Sequence, residues 1–125
     1  MELKKIVLDS NKSLREKSAI VKSPYSQEDI NTCRYLFDYL VFASDEENST
    51  KYDLRPGVGL AAPQIGINKR MLAVYIWEKD ENGKNISICS YALINPKIIS
   101  HSSRYAYLLG GEGCLSVNEE HQGYR

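Results

Sequence analysis

An α+β fold is predicted for this sequence, with one helix near its start and antiparallel strands after it. Apolar residues recur at helical spacing between residues 27 and 43, directly after Ser26, which is a favourable N-cap. Two apolar stretches, residues 71–77 and 86–94, flank the sequence DENGK at 80–84, whose Asn-Gly pair is typical of a tight hairpin turn. A length of 125 residues predicts a single domain, residues 1–125.

Shorter elements are expected around the hairpin. Residues 3–8 are predicted to form a short strand, and residues 97–100 and 105–109 two further strands on either side of the turn HSSR. Residues 44–50 (SDEENST) are predicted to form a solvated loop because every residue is polar. Residues 55–66 (RPGVGLAAPQIG) contain two prolines and three glycines, which favours a shaped loop over regular structure.

Charge and cysteine content exclude several classes of protein. The chain has 16 basic and 16 acidic residues, so there is no electrostatic reason to expect a nucleic acid or an anionic membrane as partner. No apolar run approaches the roughly 20 residues that span a bilayer, and residues 6–8 are too short for a signal-peptide core. Three cysteines without a secretion signal argue against a disulfide framework. The expected location is therefore cytoplasmic.

The glycine-rich loop matches a dinucleotide fingerprint only superficially. Residues 57–62 (GVGLAA) fit GxGxxA, but that motif must follow a buried strand and open a helix. Residues 51–56 (KYDLRP) are no core strand, and Pro63 falls where the helix would begin, so we reject this interpretation. Glycines also let a backbone approach a ligand closely. The amide of Gln64 could then donate to a carbonyl oxygen that gains negative charge during hydrolysis. A tight structural loop with Gln64 on the surface stays open as the alternative.

A second loop, residues 112–116 (EGCLS), places a cysteine between a glycine and an apolar residue. A thiolate at Cys114 could bind a metal or act as a nucleophile. The backbone N–H of Leu115 would lie beside it as an oxyanion donor. The alternative is that Cys114 is a small buried hydrophobe, which is the usual role of a free cysteine.

The remaining cysteines and histidines are interpreted as structural or surface residues. Cys33 lies on the apolar face of the predicted helix, and Cys89 lies in a predicted strand, so both are expected in the core. His101 sits in a polar turn. His121 follows Cys114 by seven residues, a spacing outside common Cys/His metal pairs, so both histidines are expected on the surface.

Together the two loops resemble a known enzyme family. GVGLAAPQIG at 57–66 and EGCLS at 112–116 resemble, in order and separation, the first two signature motifs of the peptide deformylases. Residues 7–18 look like the opening arm of that family. The extra loop before the first motif and the ending at 119–124 resemble the longer class typical of Gram-positive bacteria. The similarity runs over essentially the whole chain.

The resemblance implies a metal-dependent hydrolase of bacterial protein biosynthesis. Such an enzyme removes the N-formyl group from the N-terminal methionine of newly made polypeptides and releases formate. The implied cofactor is Fe²⁺, replaceable by Ni²⁺, Co²⁺ or Zn²⁺, held by one cysteine and two histidines with water in the fourth position. The implied partners are N-formylmethionyl nascent peptides near the ribosome, with no direct contact to nucleic acid or membrane.

Site roles follow from the resemblance position by position. Cys114 matches the metal ligand, Gln64 matches the amide that binds the formyl oxygen, and the N–H of Leu115 matches the second oxyanion donor. The positions implied to contact the peptide substrate by strand addition are Val58, Gly59, Leu60 and Gly113.

One departure from the family pattern is large. The third motif of the family, His-Glu-x-x-His on a C-terminal metal-binding helix, does not occur in these 125 residues, so two histidine ligands are missing. The sequence is therefore expected to be the N-terminal two-thirds of a deformylase-like domain and to be inactive alone. Alternatives are a non-catalytic homologue that binds peptide N-termini or a partner, and assembly with a second chain that supplies the missing ligands.

Overall fold

The structure is a computed structural model that describes residues 2–121, and the side chains as far as residue 117. It confirms an α+β arrangement with antiparallel sheets. In chain order the regular elements are a 3₁₀ turn Lys12–Leu14, helices α1 Gln27–Ser44 and α2 Glu46–Lys51, strand β1 Gly59–Ala61, a 3₁₀ turn Ala62–Ile65, and strands β2 Met71–Lys79, β3 Asn85–Ile94, β4 Glu112–Cys114 and β5 Val117–His121. The first sheet has the order β1-β2-β3, and β4 pairs with β5 in a second sheet.

Helix α1 confirms the predicted helix and its N-cap. The Ser26 side chain accepts a hydrogen bond of 3.0 Å from the backbone N–H of Asp29, which satisfies one of the free donors of the first turn. Its apolar stripe, which includes Cys33, Leu36 and Leu40, is buried against β2 and β3. Among the described residues, no helix is both long and apolar enough to span a membrane.

The β2–β3 hairpin is also confirmed. The strands pair in antiparallel register from Met71 opposite Ile94 to Lys79 opposite Asn85. In the turn, Asp80 Oδ1 accepts hydrogen bonds of 2.9 Å from the N–H groups of Asn82 and Lys84. Gly83 has φ of +76°, a conformation that glycine adopts without steric cost.

Helix α1 covers only one face of the three-stranded sheet. Side chains alternate between the two faces of a strand, so Met71, Ala73 and Tyr75 point into the core with α1. The opposite face, which we call the open sheet face, carries the side chains of six residues of the hairpin that are partly or largely exposed: Leu72, Val74 and Ile76 of β2, and Cys89, Tyr91 and Leu93 of β3. Tyr91 is 58% exposed, well above what a sheet face packed on another layer shows.

The predicted loop at residues 44–50 was wrong, because α2 begins there. Asp45 acts as N-cap, and its carboxylate accepts from the N–H of Glu47 at 2.9 Å. Acidic Glu46 and Glu47 lie in the first turn and Lys51 in the last, which suits the helix dipole. A uniformly polar segment can therefore form a helix when its ends are capped.

Three predicted strands are absent. Residues 3–8 are held by single hydrogen bonds instead of a ladder: the N–H of Val7 donates to the carbonyl of Gln64 at 2.8 Å. Residues 97–100 and 105–109 have no regular structure, and Ile99 is 91% exposed. A strand forms only where a second strand satisfies its backbone groups, and none of these three segments belongs to a strand ladder in the part of the chain described.

An ion pair joins α1 to the loop before β2. Lys69 Nζ lies 2.6 Å from Asp29 Oδ1, and Asp29 is buried. The hydrogen bond from Lys69 lowers the pKa of the Asp29 carboxyl, and the same contact raises the pKa of Lys69. Removing Lys69 would leave the Asp29 carboxylate, whose side chain is 10% exposed, without its cation, whereas the Lys69 side chain is 41% exposed and stays in contact with water.

Asp29→Asn is expected to destabilise the fold at neutral pH and to lose that effect in acid. A carboxyl whose pKa is lowered by folding contributes stability above its unfolded pKa, and the contribution disappears as the pH falls through its folded pKa. Unfolding by urea at several pH values from 7 to 2 measures the difference in the free energy of unfolding between the parent protein and Asp29→Asn. Asp38→Asn, at an exposed position of α1, is the matched control. A difference that stays constant down to pH 2 would contradict the role of the ion pair.

Candidate active site

The two loops singled out in the sequence lie against each other. Gln64 Nε2 lies 3.8 Å from the Sγ atom of Cys114, although the two residues are 50 positions apart. The same nitrogen donates a hydrogen bond of 3.2 Å to the hydroxyl of Ser116. The structure thus brings together an amide donor and an exposed thiol at the end of β4.

Both ends of the Gln64 amide are held. Its Oε1 atom accepts a 3.0 Å hydrogen bond from the backbone N–H of Ala61, while its NH₂ group faces Ser116 and Cys114. Gln64 lies in the 3₁₀ turn that Gly66 ends with φ of +82°. Because the carbonyl end of the amide is bonded to β1, its NH₂ end points to the second loop. The Gln64 side chain is therefore half-buried between the two loops and does not lie on the surface.

Cys114 differs from the other two cysteines. Cys33 is buried on α1, as predicted, and burial raises the pKa of its thiol. Cys89 is half-buried on β3 and is not part of the core cluster, so its predicted core position was wrong; it lies opposite Ile76, on the face of the sheet away from α1. Cys114 is exposed at the junction of the two loops, so packing does not account for a thiol at this position.

The turn between β4 and β5 is anchored by two residues outside it. The N–H of Asp9, on the N-terminal arm, donates to the carbonyl of Ser116 at 2.9 Å. The guanidinium of Arg55 donates to the backbone carbonyls of both Cys114 and Val117. Leu115 packs on the first loop, where a Cβ atom added to Gly57 would lie 3.2 Å from its side chain.

Sequence reasoning missed Arg55, Ser116 and Asp9. Ser116 belongs to the EGCLS motif but carried no assigned role, and it is 2% exposed with its hydroxyl turned to Gln64. Arg55 stands just before Pro56 at the start of the glycine-rich loop. A single long cation in a segment of glycines and prolines is the only signal that could have pointed to it.

The edge of β1 is the predicted peptide-binding element. The carbonyl of Val58 accepts a 2.8 Å hydrogen bond from the N–H of Tyr75. Backbone groups alternate in direction along a strand, so the N–H and C=O of Gly59 point away from β2, towards the outer edge of the sheet. Leu60 is 2% exposed and its own N–H and C=O point towards β2, so neither its side chain nor its backbone polar groups face the outer edge. Gly113 is exposed in the middle of β4.

The described residues do not make a metal site by themselves. Cys114 offers one thiolate, whereas a catalytic zinc-type site takes three protein ligands. Among residues 2–117, no three His, Cys, Asp or Glu side chains are arranged to hold a metal ion. The ring of His101 is exposed, as predicted, and contacts the carbonyl of Ser102 at 2.8 Å. The side chain of His121 and the ending at 122–125 lie outside the described residues.

Comparison with known proteins gives a consistent result. A family model described as polypeptide deformylase matches residues 3–125. "Peptide deformylase 2" of Geobacillus stearothermophilus is 48% identical over 122 residues, which cover 98% of this chain and 64% of that protein. A peptide deformylase of Halalkalibacterium halodurans is 48% identical over 123 residues and is covered over 65% of its length.

Solved structures show the same similarity. A probable peptide deformylase from Synechococcus phage S-SSM7 superposes with a TM-score of 0.64 at 31% identity, over 98% of this chain and 70% of that one. A plant peptide deformylase gives a TM-score of 0.68 at 26% identity, over 100% of this chain and 58% of that one. The present chain spans about two-thirds of the length of the curated relatives it matches.

Proposed function

Because this chain belongs to the polypeptide deformylase family, we propose that the protein removes the N-formyl group from the N-terminal methionine of newly made polypeptides and releases formate. The observation that carries this proposal is the meeting of Gln64 and Cys114 at 3.8 Å. A held amide donor beside an exposed thiol is the arrangement that the first two family motifs imply.

Gln64 and Leu115 are proposed to stabilise the formyl oxygen as it gains negative charge. The NH₂ group of Gln64 is already aimed at the junction of the two loops by the hydrogen bond from Ala61. The backbone N–H of Leu115 belongs to the residue after Cys114, so a second donor lies next to the thiol. Donors that are fixed before the reaction stabilise a developing oxyanion most strongly because they need not reorganise.

Cys114 is proposed as one ligand of the metal of the family, Fe²⁺ or, in its place, Ni²⁺, Co²⁺ or Zn²⁺. Among the described side chains, Cys114 belongs to no group of three ligands that could hold a metal ion. Two further ligands must come from outside these residues, either from the third family motif on the same polypeptide or from a second chain.

The substrate is proposed to add as a strand along β1. The outward N–H and C=O of Gly59 offer a donor and an acceptor to an extended peptide backbone. Val58 is 53% exposed and would contact the substrate side chains, while Gly113 would contribute backbone only. Leu60 would support this edge from the core, because its side chain is buried and its N–H and C=O face β2. The proposed partners are N-formylmethionyl nascent peptides near the ribosome, in the cytoplasm.

The purified 125-residue chain is expected to show no turnover of formyl-Met-Ala-Ser, even anaerobically with added Fe²⁺ or Ni²⁺. One thiolate does not fix a metal, and the general acid/base expected on the third motif is absent from the sequence. Formate release is the measurement. Metal-dependent turnover that Cys114→Ala abolishes would contradict the expected inactivity and would point to ligands from His121 or a second copy.

A chimera provides the positive arm of this test. The 125 residues are joined to the remaining part of the Geobacillus stearothermophilus relative, beyond the matched region, where the third family motif is expected. This protein is expected to release formate, and Cys114→Ala is expected to abolish that release. A folded, metal-loaded chimera without activity would contradict the proposed function.

A non-catalytic role is the second candidate, and the outward N–H and C=O of Gly59 on the edge strand β1 favour it. An edge that pairs with peptide backbone can bind without hydrolysis. Calorimetric titration of the chain with formyl-Met-Ala-Ser and acetyl-Met-Ala-Ser distinguishes the two roles. Equal binding of both peptides would support a peptide binder, and no detectable binding of either would count against it.

A further inference from the structure

Arg55 makes a contact that the proposed chemistry has not used. It lies at the start of the glycine-rich loop, and its Nη2 atom donates to the backbone carbonyls of Cys114 and Val117, the residues that flank the β4–β5 turn. The distance to the carbonyl of Val117 is 2.9 Å. Arg55 is exposed, so burial of its side chain does not explain this placement.

The carbonyl of Cys114 and the N–H of Leu115 belong to the same peptide group. A trans peptide group is planar, and its C=O and N–H point in opposite directions. A guanidinium that holds the carbonyl on one side therefore fixes the N–H of Leu115 on the other. The direction of this N–H is what decides whether it can act as an oxyanion donor.

We propose that Arg55 is a positioning residue that sets the orientation of the Cys114–Leu115 peptide group and so aims the N–H of Leu115 at the formyl oxygen. That the N–H of Leu115 donates to a formyl oxygen rests on the proposed function, whereas the orientation of the peptide group by Arg55 does not depend on it. The positive charge also polarises the peptide group, because hydrogen bonds in a chain strengthen one another. Leu115 thereby becomes a stronger donor.

The other contacts of the turn do not replace this one. The Leu115 side chain packs on Gly57, and the Ser116 carbonyl accepts from Asp9. These contacts fix the position of the turn, but a peptide group can rotate between two stationary Cα atoms. Cys114 is also paired with Val117 in the β4–β5 ladder, and Arg55 donates to the carbonyls of both members of this pair, so it adds a charged donor to the backbone pairing.

The test measures the orientation of the Leu115 N–H directly. Residual dipolar couplings of the ¹⁵N-labelled chain are compared for the parent protein, Arg55→Lys and Arg55→Gln. We expect the Leu115 coupling to shift beyond the scatter of the other amides in Arg55→Gln. Arg55→Lys should show a smaller shift, since one ammonium keeps the charge but lacks the planar fork of a guanidinium. Arg15→Gln, at an exposed arginine of the N-terminal arm, is the matched control and should not move this coupling.

The outcome that overturns the proposal is an unchanged Leu115 coupling in a folded Arg55→Gln chain. If Arg55→Gln loses the dispersion of its amide spectrum, the decision is made on Arg55→Lys, where an unchanged coupling has the same meaning. Titration with formyl-Met-Ala-Ser separates this proposal from the proposed function. A shifted coupling together with no response of any amide to the peptide would retain the role of Arg55 in orientation and remove the formyl oxygen as the acceptor.

Discussion

Gln64→Ala is expected to lower the kcat for formyl-Met-Ala-Ser by roughly 10²–10³-fold in the chimera, which is the loss typical of one oxyanion donor. The substitution removes the NH₂ group that faces Ser116 and Cys114. It also removes the oxygen that accepts from Ala61. Because the amide interacts with charge that develops only in the transition state, kcat should fall far more than KM rises.

Gln64→Glu sharpens this experiment. A glutamate of the same length keeps an oxygen for the Ala61 N–H but has no NH₂ group to donate. If donation is what matters, the two variants should be similarly slow, whereas a role in holding the loop would leave Gln64→Glu near the parent rate. Full activity in Gln64→Ala, with an unchanged unfolding midpoint, would contradict the assignment of Gln64 as a donor.

Leu40→Ala is expected to lower the free energy of unfolding by about 2–5 kcal/mol, the usual cost of removing a buried leucine side chain. Leu36 and Leu40 are the largest fully buried side chains described, and both are 0% exposed. Leu40 lies on the stripe of α1 that packs on the sheet, so the substitution leaves a cavity between the two layers. Equilibrium unfolding in urea measures the effect.

Val41→Ala is the matched control on the same helix. Val41 is 38% exposed, so its truncation removes little buried surface, and we expect a change well below that of Leu40→Ala. A small domain is stable by only about 5–15 kcal/mol, so Leu40→Ala should also lower the unfolding temperature clearly. Equal effects of the two substitutions would show that α1 does not pack on the sheet as described.

Local signals explain which elements could be predicted from the sequence. Helix α1 is predicted by its N-cap Ser26 and by the helical spacing of its apolar residues, and the β2–β3 hairpin is predicted by the Asn-Gly turn between two apolar stretches. Each of these signals acts over a few residues. Helix α2 was missed because its apolar face is lacking and its stability comes from capping by Asp45. The strands expected at 97–100 and 105–109 were wrong because a strand depends on a distant partner, and the residues of these two segments do not indicate which segment that partner would be.

The same distinction applies to the candidate site. Gln64 and Cys114 were found because each lies in a motif that the sequence shows, and the structure places them in contact. Arg55 contacts backbone carbonyls about 60 residues further along the chain, and the hydroxyl of Ser116 contacts Gln64, about 50 residues earlier. The residues next to Arg55 and Ser116 in the sequence do not indicate such distant contacts. The roles of Val58, Gly59, Leu60, Gly113 and Leu115 stay predictions.

The N-terminal arm has a consequence for the order in which the protein is made. Its residues Val7 and Asp9 bond to Gln64 and to Ser116, so the arm joins both loops of the site. On a ribosome that adds roughly 5–20 residues per second, the arm waits on the order of 5–20 seconds before Ser116 exists. Leu3 and Ile6 pack against a core whose residues lie between Val21 and Tyr75, so their neighbours are made well before Ser116. The contact between the arm and the second loop consequently forms only after residue 116 has been made, later than the contact between the arm and Gln64.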